Sequence, residues 1–154
     1  MDTIKILFIC HGNICRSPMA EYVMKDMVEK AGLAQHFEIA SAATSTEALG
    51  EAVYPPARRK LAEHHIGCAG HCARQLRRED YDRWDWLVGM DGANRRNITR
   101  ICGGDPEGKI SLLLDHTGHS RPIADPWYTG NFDETYDDVL AGCQGLLEYL
   151  LERM

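Results

Sequence analysis

The eight residues from Cys10 to Ser17, Cys-His-Gly-Asn-Ile-Cys-Arg-Ser, suit one kind of chemistry: holding a tetrahedral anion over a thiol. Cysteine is a nucleophile as the thiolate, and backbone N–H groups gathered at a helix start stabilise both a thiolate and a bound anion. Gly12 and Asn13 tolerate the left-handed backbone that such a gathering requires. The planar fork of Arg16 can clasp two oxygens of a tetrahedral dianion. A Cys10 thiolate beneath a bound phosphate is placed for in-line attack on phosphorus. One cysteine and one arginine at this spacing recur by chance. The signal gains specificity from Gly-Asn inside the loop and from Ser17-Pro18 after it, which read as the N-cap and first position of a helix.

Such a loop needs a strand before it and a helix after it. Residues 4–9 form a short, apolar, β-branched run that ends at the glycine turn. Beyond Pro18, Met19, Ala20, Val23, Met24, Met27 and Val28 recur at helical spacing until Gly32. Further strands are expected at 37–40, 84–90 and 109–114, with helices at 54–65 and near 91–100. From Phe132 to Leu151, apolar residues step by threes and fours against an acidic face, predicting a long amphipathic helix. The alternation implies an α/β fold, with residues 1–154 forming a single three-layer domain. A short parallel sheet of about four strands is flanked by helices on both faces. The anion loop joins the first strand to the first helix, at the carboxyl ends of the strands where such sheets bind ligands.

Composition narrows the function. With 154 residues, 44% hydrophobic and 26% charged, the chain is globular rather than disordered. No apolar stretch approaches the ~18 residues a bilayer span needs, so a membrane partner is not expected. A net charge of −6 is the wrong sign for a nucleic-acid partner. The N-terminus lacks the basic region and long apolar core of a secretory signal, and six cysteines are too few for a disulfide scaffold. A cytoplasmic protein is expected. His64, His65, Cys68, His71 and Cys72 crowd together without a convincing second ligand pair, so no metal is expected.

The loop resembles the signature of the low-molecular-weight protein tyrosine phosphatases, C-x-G-N-x-C-R-S-P, matched by Cys10, Gly12, Asn13, Cys15, Arg16, Ser17 and Pro18. Ser41-Ala42-Ala43-Thr44, His71 with Ala73-Arg74-Gln75, and Met90-Asp91 with Asn94 look like later blocks of that family. Ala124-Asp125-Pro126-Trp127 looks like its aspartate-proline-aromatic loop, so the resemblance spans essentially the whole chain. It implies a phosphatase needing no cofactor. Cys10 would attack phosphorus and carry a phosphocysteine, and Arg16 would hold the transition-state oxygens. Asp125 would protonate the leaving group and then activate water. His11, Gly12, Asn13, Ile14, Cys15 and Ser17 would surround the phosphate, with Ser17 also donating to the Cys10 thiolate. Asn13, Ser41 and His71 would hold the loop in shape. Cys15 is either a core cysteine or a redox partner that shields Cys10. The implied partner is a phosphotyrosine-containing protein or a small phosphate ester, handled by a monomer or weak homodimer.

Two departures from that pattern bear on the substrate. His11 stands where an apolar residue is usual, and Thr46-Glu47-Ala48 stands where the family places an aromatic pocket wall. The pocket is therefore expected to join Glu47 to Trp127 and Tyr128, and its carboxylate to repel acidic peptide. Because Asp125 must carry a proton while Cys10 has lost one, a bell-shaped rate profile with an optimum on the acid side of neutral is expected. Two rival readings fit the same loop. An arsenate reductase of this fold would need a relay of cysteines after the third strand, where residues 87–94 have none. A non-catalytic phosphate-binding module would not need nucleophile, arginine and acid together.

Overall fold

Side-chain alternation along the first strand decides which layer each residue feeds. In the computed structural model, which describes residues 3–154, this strand is β1, Ile4–Cys10. After it come α1 (Arg16–Lys30), β2 (Phe37–Ala43), α2 (Pro55–Glu63), α3 (Asp80–Arg83) and β3 (Trp86–Gly89). The chain continues through α4 (Gly92–Cys102), β4 (Ile110–Leu112), α5 (Pro126–Thr129) and α6 (Phe132–Leu151). The sheet runs β2-β1-β3-β4 with every pairing parallel. Ile6, Phe8 and Cys10 point into a core shared with α1, α2 and α6. Leu7 and Ile9 point the other way, against Tyr81 of α3 and Ile98 and Cys102 of α4. Cys10 is thereby aimed at the start of α1. Strand order reverses at β1, so the crevice for a ligand opens at its carboxyl end.

The α/β architecture, four-strand parallel sheet and flanking helices agree with the sequence reading, and several boundaries move. α1 begins at Arg16, and Ser17 does not cap it. The loop delivers its amides to the helix two residues early, which turns the Ser17 hydroxyl inward and still leaves Pro18 in the first turn, where no N–H is required. β2 runs on to Ala43 because Ser41, Ala42 and Ala43 pair with Phe8, Ile9 and Cys10. Small residues with little strand preference are extended there by their partner strand. Trp84 closes α3 rather than opening β3, and β4 gives way after Leu112 to a 3-10 turn, Leu113–His116. Four-residue helices such as α3 and α5 are too short to leave a periodic signature.

α6 lies close against the 3-10 turn through two glycines. A methyl at Gly142 would meet the Leu113 side chain, and one at Gly145 would run into the backbone carbonyl oxygen of His116. Glycine to alanine inside a helix ordinarily stabilises by roughly 0.5–1 kcal/mol. Gly145→Ala is expected to do the opposite, destabilising by about 1–3 kcal/mol through overpacking against a rigid carbonyl. Urea denaturation of the two proteins checks the sign, and a stabilised variant would contradict the packing.

Candidate active site

Between β1 and α1, residues 11–15 wrap around a centre faced by Cys10 and Arg16. Asn13 takes the left-handed backbone its sequence position suggested, at φ 59°, and is fully buried. Its side-chain amide donates to Ser17 Oγ at 2.7 Å and to Ser41 Oγ at 2.9 Å. Its Oδ1 accepts from the Arg74 backbone N–H at 3.2 Å, and its carbonyl oxygen lies 2.8 Å from His71 Nε2. Ser41 in turn donates to the buried carboxylate of Glu21 at 2.5 Å, whose other oxygen takes the Lys25 ammonium at 2.6 Å. Asn13, Ser41 and His71 are thus joined in one network, extended by Glu21 and Arg74.

The Cys10 sulfur is buried, 3.1 Å from Ser17 Oγ and 3.4 Å from the Ser17 backbone N–H. Asn13 donates to Ser17 Oγ, so the loop-shaping amide and the Cys10 sulfur share this hydroxyl as a partner. Arg16 is only 2% exposed. One terminal nitrogen donates to Asp91 Oδ2 at 2.7 Å and to the Ile123 carbonyl at 3.0 Å, while the other reaches Asp125 Oδ2 at 3.4 Å. Burial works against the Arg16 charge, but Cys10, Asp91 and Asp125 outweigh it and hold its pKa above the ordinary value. Asp91 is itself fixed as the N-cap of α4, accepting from the Asn94 N–H at 2.8 Å. Asp125 caps α5, accepting from the Trp127 N–H at 3.0 Å.

Above the loop opens a cleft of ≈ 240 Å³ whose wall includes His11, Ile14, Glu47, Glu51, Asp125 and Trp127. Tyr128, 81% exposed, stands at its edge. Trp127 rests on Tyr54 with ring centroids 4.8 Å apart, and the Tyr54 N–H donates to the Ile14 carbonyl. Across from them, His11 Nε2 meets Glu47 Oε2 at 2.9 Å. Gly12 and Cys15 complete the floor. Burial pushes the Cys15 thiol up to about 12, so it remains protonated beside Cys10 at neutral pH.

Glu21, Tyr54 and Glu51 belong to the site and carry no expectation from sequence, while Asp91 and Arg74 appear there only within blocks resembling the family, with no role. Asp91 carried a signal as an aspartate opening a helix. Glu21 carried one as a carboxylate beside Ala20, Val23 and Met24 on an apolar helix face. Tyr54 and Glu51 had none, because loops unrelated in sequence bring them in. In the histidine-cysteine cluster, His64 stacks on Tyr136 at 3.9 Å while His71 serves the loop. Among the described residues no three His, Cys, Asp or Glu side chains are grouped to hold a metal ion.

Residues 5–154 match the family model described as low molecular weight phosphotyrosine protein phosphatase. The low molecular weight protein-tyrosine-phosphatase YfkJ of Bacillus subtilis is 35% identical over 146 residues, covering 94% of each chain. The crystal structure of YfkJ superposes with a TM-score of 0.96 at 33% identity, over 99% of this chain and 98% of that one. The Drosophila arginine phosphatase DARP superposes at 0.88 with 28% identity, over 96% and 98%.

Two outcomes follow from the geometry. Asn13→Ala leaves buried partners unsatisfied, which should cost about 1–3 kcal/mol in urea denaturation. It should also weaken inorganic phosphate binding by about tenfold, read by calorimetric titration; unchanged affinity would mean Asn13 does not shape the loop. The second concerns Asp91. Burial alone would raise its pKa, but the Arg16 guanidinium and the Asn94 and Ala93 amides overcome burial and lower it. A carboxyl depressed in the fold contributes stability that is complete above its unfolded value near ~3.9 and is lost as pH falls below that. Stability should therefore drop less steeply in Asp91→Asn than in the parent between about pH 5 and 3. Parallel slopes would contradict the pairing.

Proposed function

The chain belongs to the low molecular weight phosphotyrosine protein phosphatase family of hydrolases, and on that premise we propose that it cleaves phosphotyrosine and small aryl phosphates through a phosphocysteine on Cys10. The observation that carries this reading is the setting of Arg16. Asp91 and the Ile123 carbonyl hold one terminal nitrogen of the guanidinium, the other reaches Asp125, and the charge of Cys10 acts on the same group. A phosphate dianion drawn to that group has the thiolate below it and the carboxyl of Asp125 beside it.

In the first step the Cys10 sulfur bonds to phosphorus as the bond from phosphorus to the leaving oxygen breaks, and Asp125 gives that oxygen its proton. Arg16 and the loop amides hold the three equatorial oxygens while charge shifts among them. In the second step water attacks phosphorus and gives a proton to Asp125, and the sulfur–phosphorus bond breaks. The Ser17 hydroxyl, 3.1 Å from the sulfur, stabilises the thiolate that leaves. Ile14 and Trp127 offer apolar surface suited to an aryl ring. An arsenate-reducing relay finds little support: Cys102, at the end of α4, is buried and its thiol is pushed up to about 11 by burial.

Hydrolysis of para-nitrophenyl phosphate from about pH 4 to 8 tests the reading. The profile should be bell-shaped with its optimum below neutral. Cys10→Ser should abolish turnover. Asp125→Ala should lower kcat on the order of 10²–10³-fold and flatten the decline toward higher pH, the limb that reports a required acid. Turnover surviving Cys10→Ser would overturn the proposal.

A further inference from the structure

The cleft pairs an anion-binding floor with a negatively charged lip. Three carboxylates line it together with Trp127: Asp125, which reaches Arg16, and Glu47 and Glu51. His11 also lines the cleft, and its Nε2 is already engaged by Glu47 at 2.9 Å. Arg16 is buried beneath and held by its own aspartates. Glu51 is exposed and has no ion-pair partner among the described residues.

The position of Glu47 is built by the loops rather than left to a mobile side chain. Ser45 donates through its N–H and its hydroxyl to the His11 carbonyl, at 3.0 and 2.9 Å. The Glu47 N–H reaches back to Ser45 Oγ at 3.4 Å. The residue next to the nucleophile and the residue on the lip are thus tied twice, through backbone and through side chains. Even so, the Glu47 side chain is 74% exposed, so its charge faces whatever lies beside the phosphate.

Resting on the phosphatase reading, we propose that Glu47 and Glu51 make this cleft selective for phosphotyrosine flanked by lysine or arginine. A phosphotyrosyl dianion reaching Arg16 must pass the lip carboxylates, and a neighbouring cation on the same peptide offsets that repulsion. An acidic neighbour adds to it. The aromatic side, Trp127 on Tyr54, receives the ring, while the acidic side reads the charge next to it. Exposed charge pairs are individually weak and screened by salt, so the selection acts mainly on peptide capture, in kcat/KM.

Three phosphotyrosine peptides of equal length, with lysine, alanine or glutamate on both sides of the phosphotyrosine, test this at 20 mM and 500 mM salt. At low salt kcat/KM should be about tenfold higher for the lysine than for the glutamate peptide, and most of that ratio should vanish at high salt. The double variant Glu47→Gln/Glu51→Gln should bring the ratio within about twofold. Glu148→Gln, which removes a charge on α6 outside the cleft, should keep it. Equal rates for the three peptides, or a ratio that survives the double variant, would overturn the inference. So would failure to cleave any of them while para-nitrophenyl phosphate is still hydrolysed through Cys10. Loss of that hydrolysis as well would instead remove the phosphatase reading.

Discussion

A buried guanidinium is costly unless every part of its charge is answered, and the surroundings of Arg16 follow from that requirement. Its partners come from three places in the chain: Asp91 at the start of α4, the Ile123 carbonyl, and Asp125 at the start of α5. Each lies beyond the carboxyl end of the sheet, where a parallel α/β fold places its connections. Asp91 and Asp125 also cap the helices they begin, so one carboxylate fixes a helix start with one oxygen and the arginine with the other. The charge that makes the loop attractive to phosphate is therefore anchored to elements far apart in sequence, and the fold is what makes it affordable.

Asn13 performs the matching task on the other side of the loop. Its amide satisfies two serines, one from α1 and one from β2, and its oxygens engage the segment around His71 and Arg74. With its side-chain polar atoms and its carbonyl oxygen all engaged in a fully buried position, the left-handed backbone at this residue is held from several directions. The consequence reaches the sulfur: the Ser17 hydroxyl that Asn13 holds in place is the one 3.1 Å from Cys10. Shape and reactivity of the loop are in this sense one hydrogen-bond problem.

Much of this was legible in sequence because the chemistry is concentrated. The Gly12-Asn13 turn, the Cys10 to Arg16 spacing and the strand before them are local, and so is the 3.6-residue rhythm of α6. Asp125 was legible only through the family resemblance, since an aspartate before a proline ordinarily opens a turn. What stayed hidden depends on pairing across the fold. The extension of β2 through Ser41 to Ala43 is imposed by β1, and the inward turn of Ser17 is imposed by where the loop delivers its amides. The Asp91–Arg16 bond spans 75 residues and the Tyr54–Trp127 contact joins the residue before α2 to the short helix α5, so neither leaves a periodic trace.

The site also divides into a part that cannot drift and a part that can. Asn13, Arg16 and Ser17 are buried and share partners, so altering one leaves another polar group or charge stranded, at a cost of kcal/mol. His11 and Glu47 face solvent at the mouth, where an ion pair is worth little to stability. These two exposed side chains meet each other at 2.9 Å. A change at the lip can thus alter the charge of the cleft mouth without disturbing the buried network around Asn13 and Arg16. Burial constrains the loop, whereas the charge of the exposed rim is free to vary at little cost to the fold.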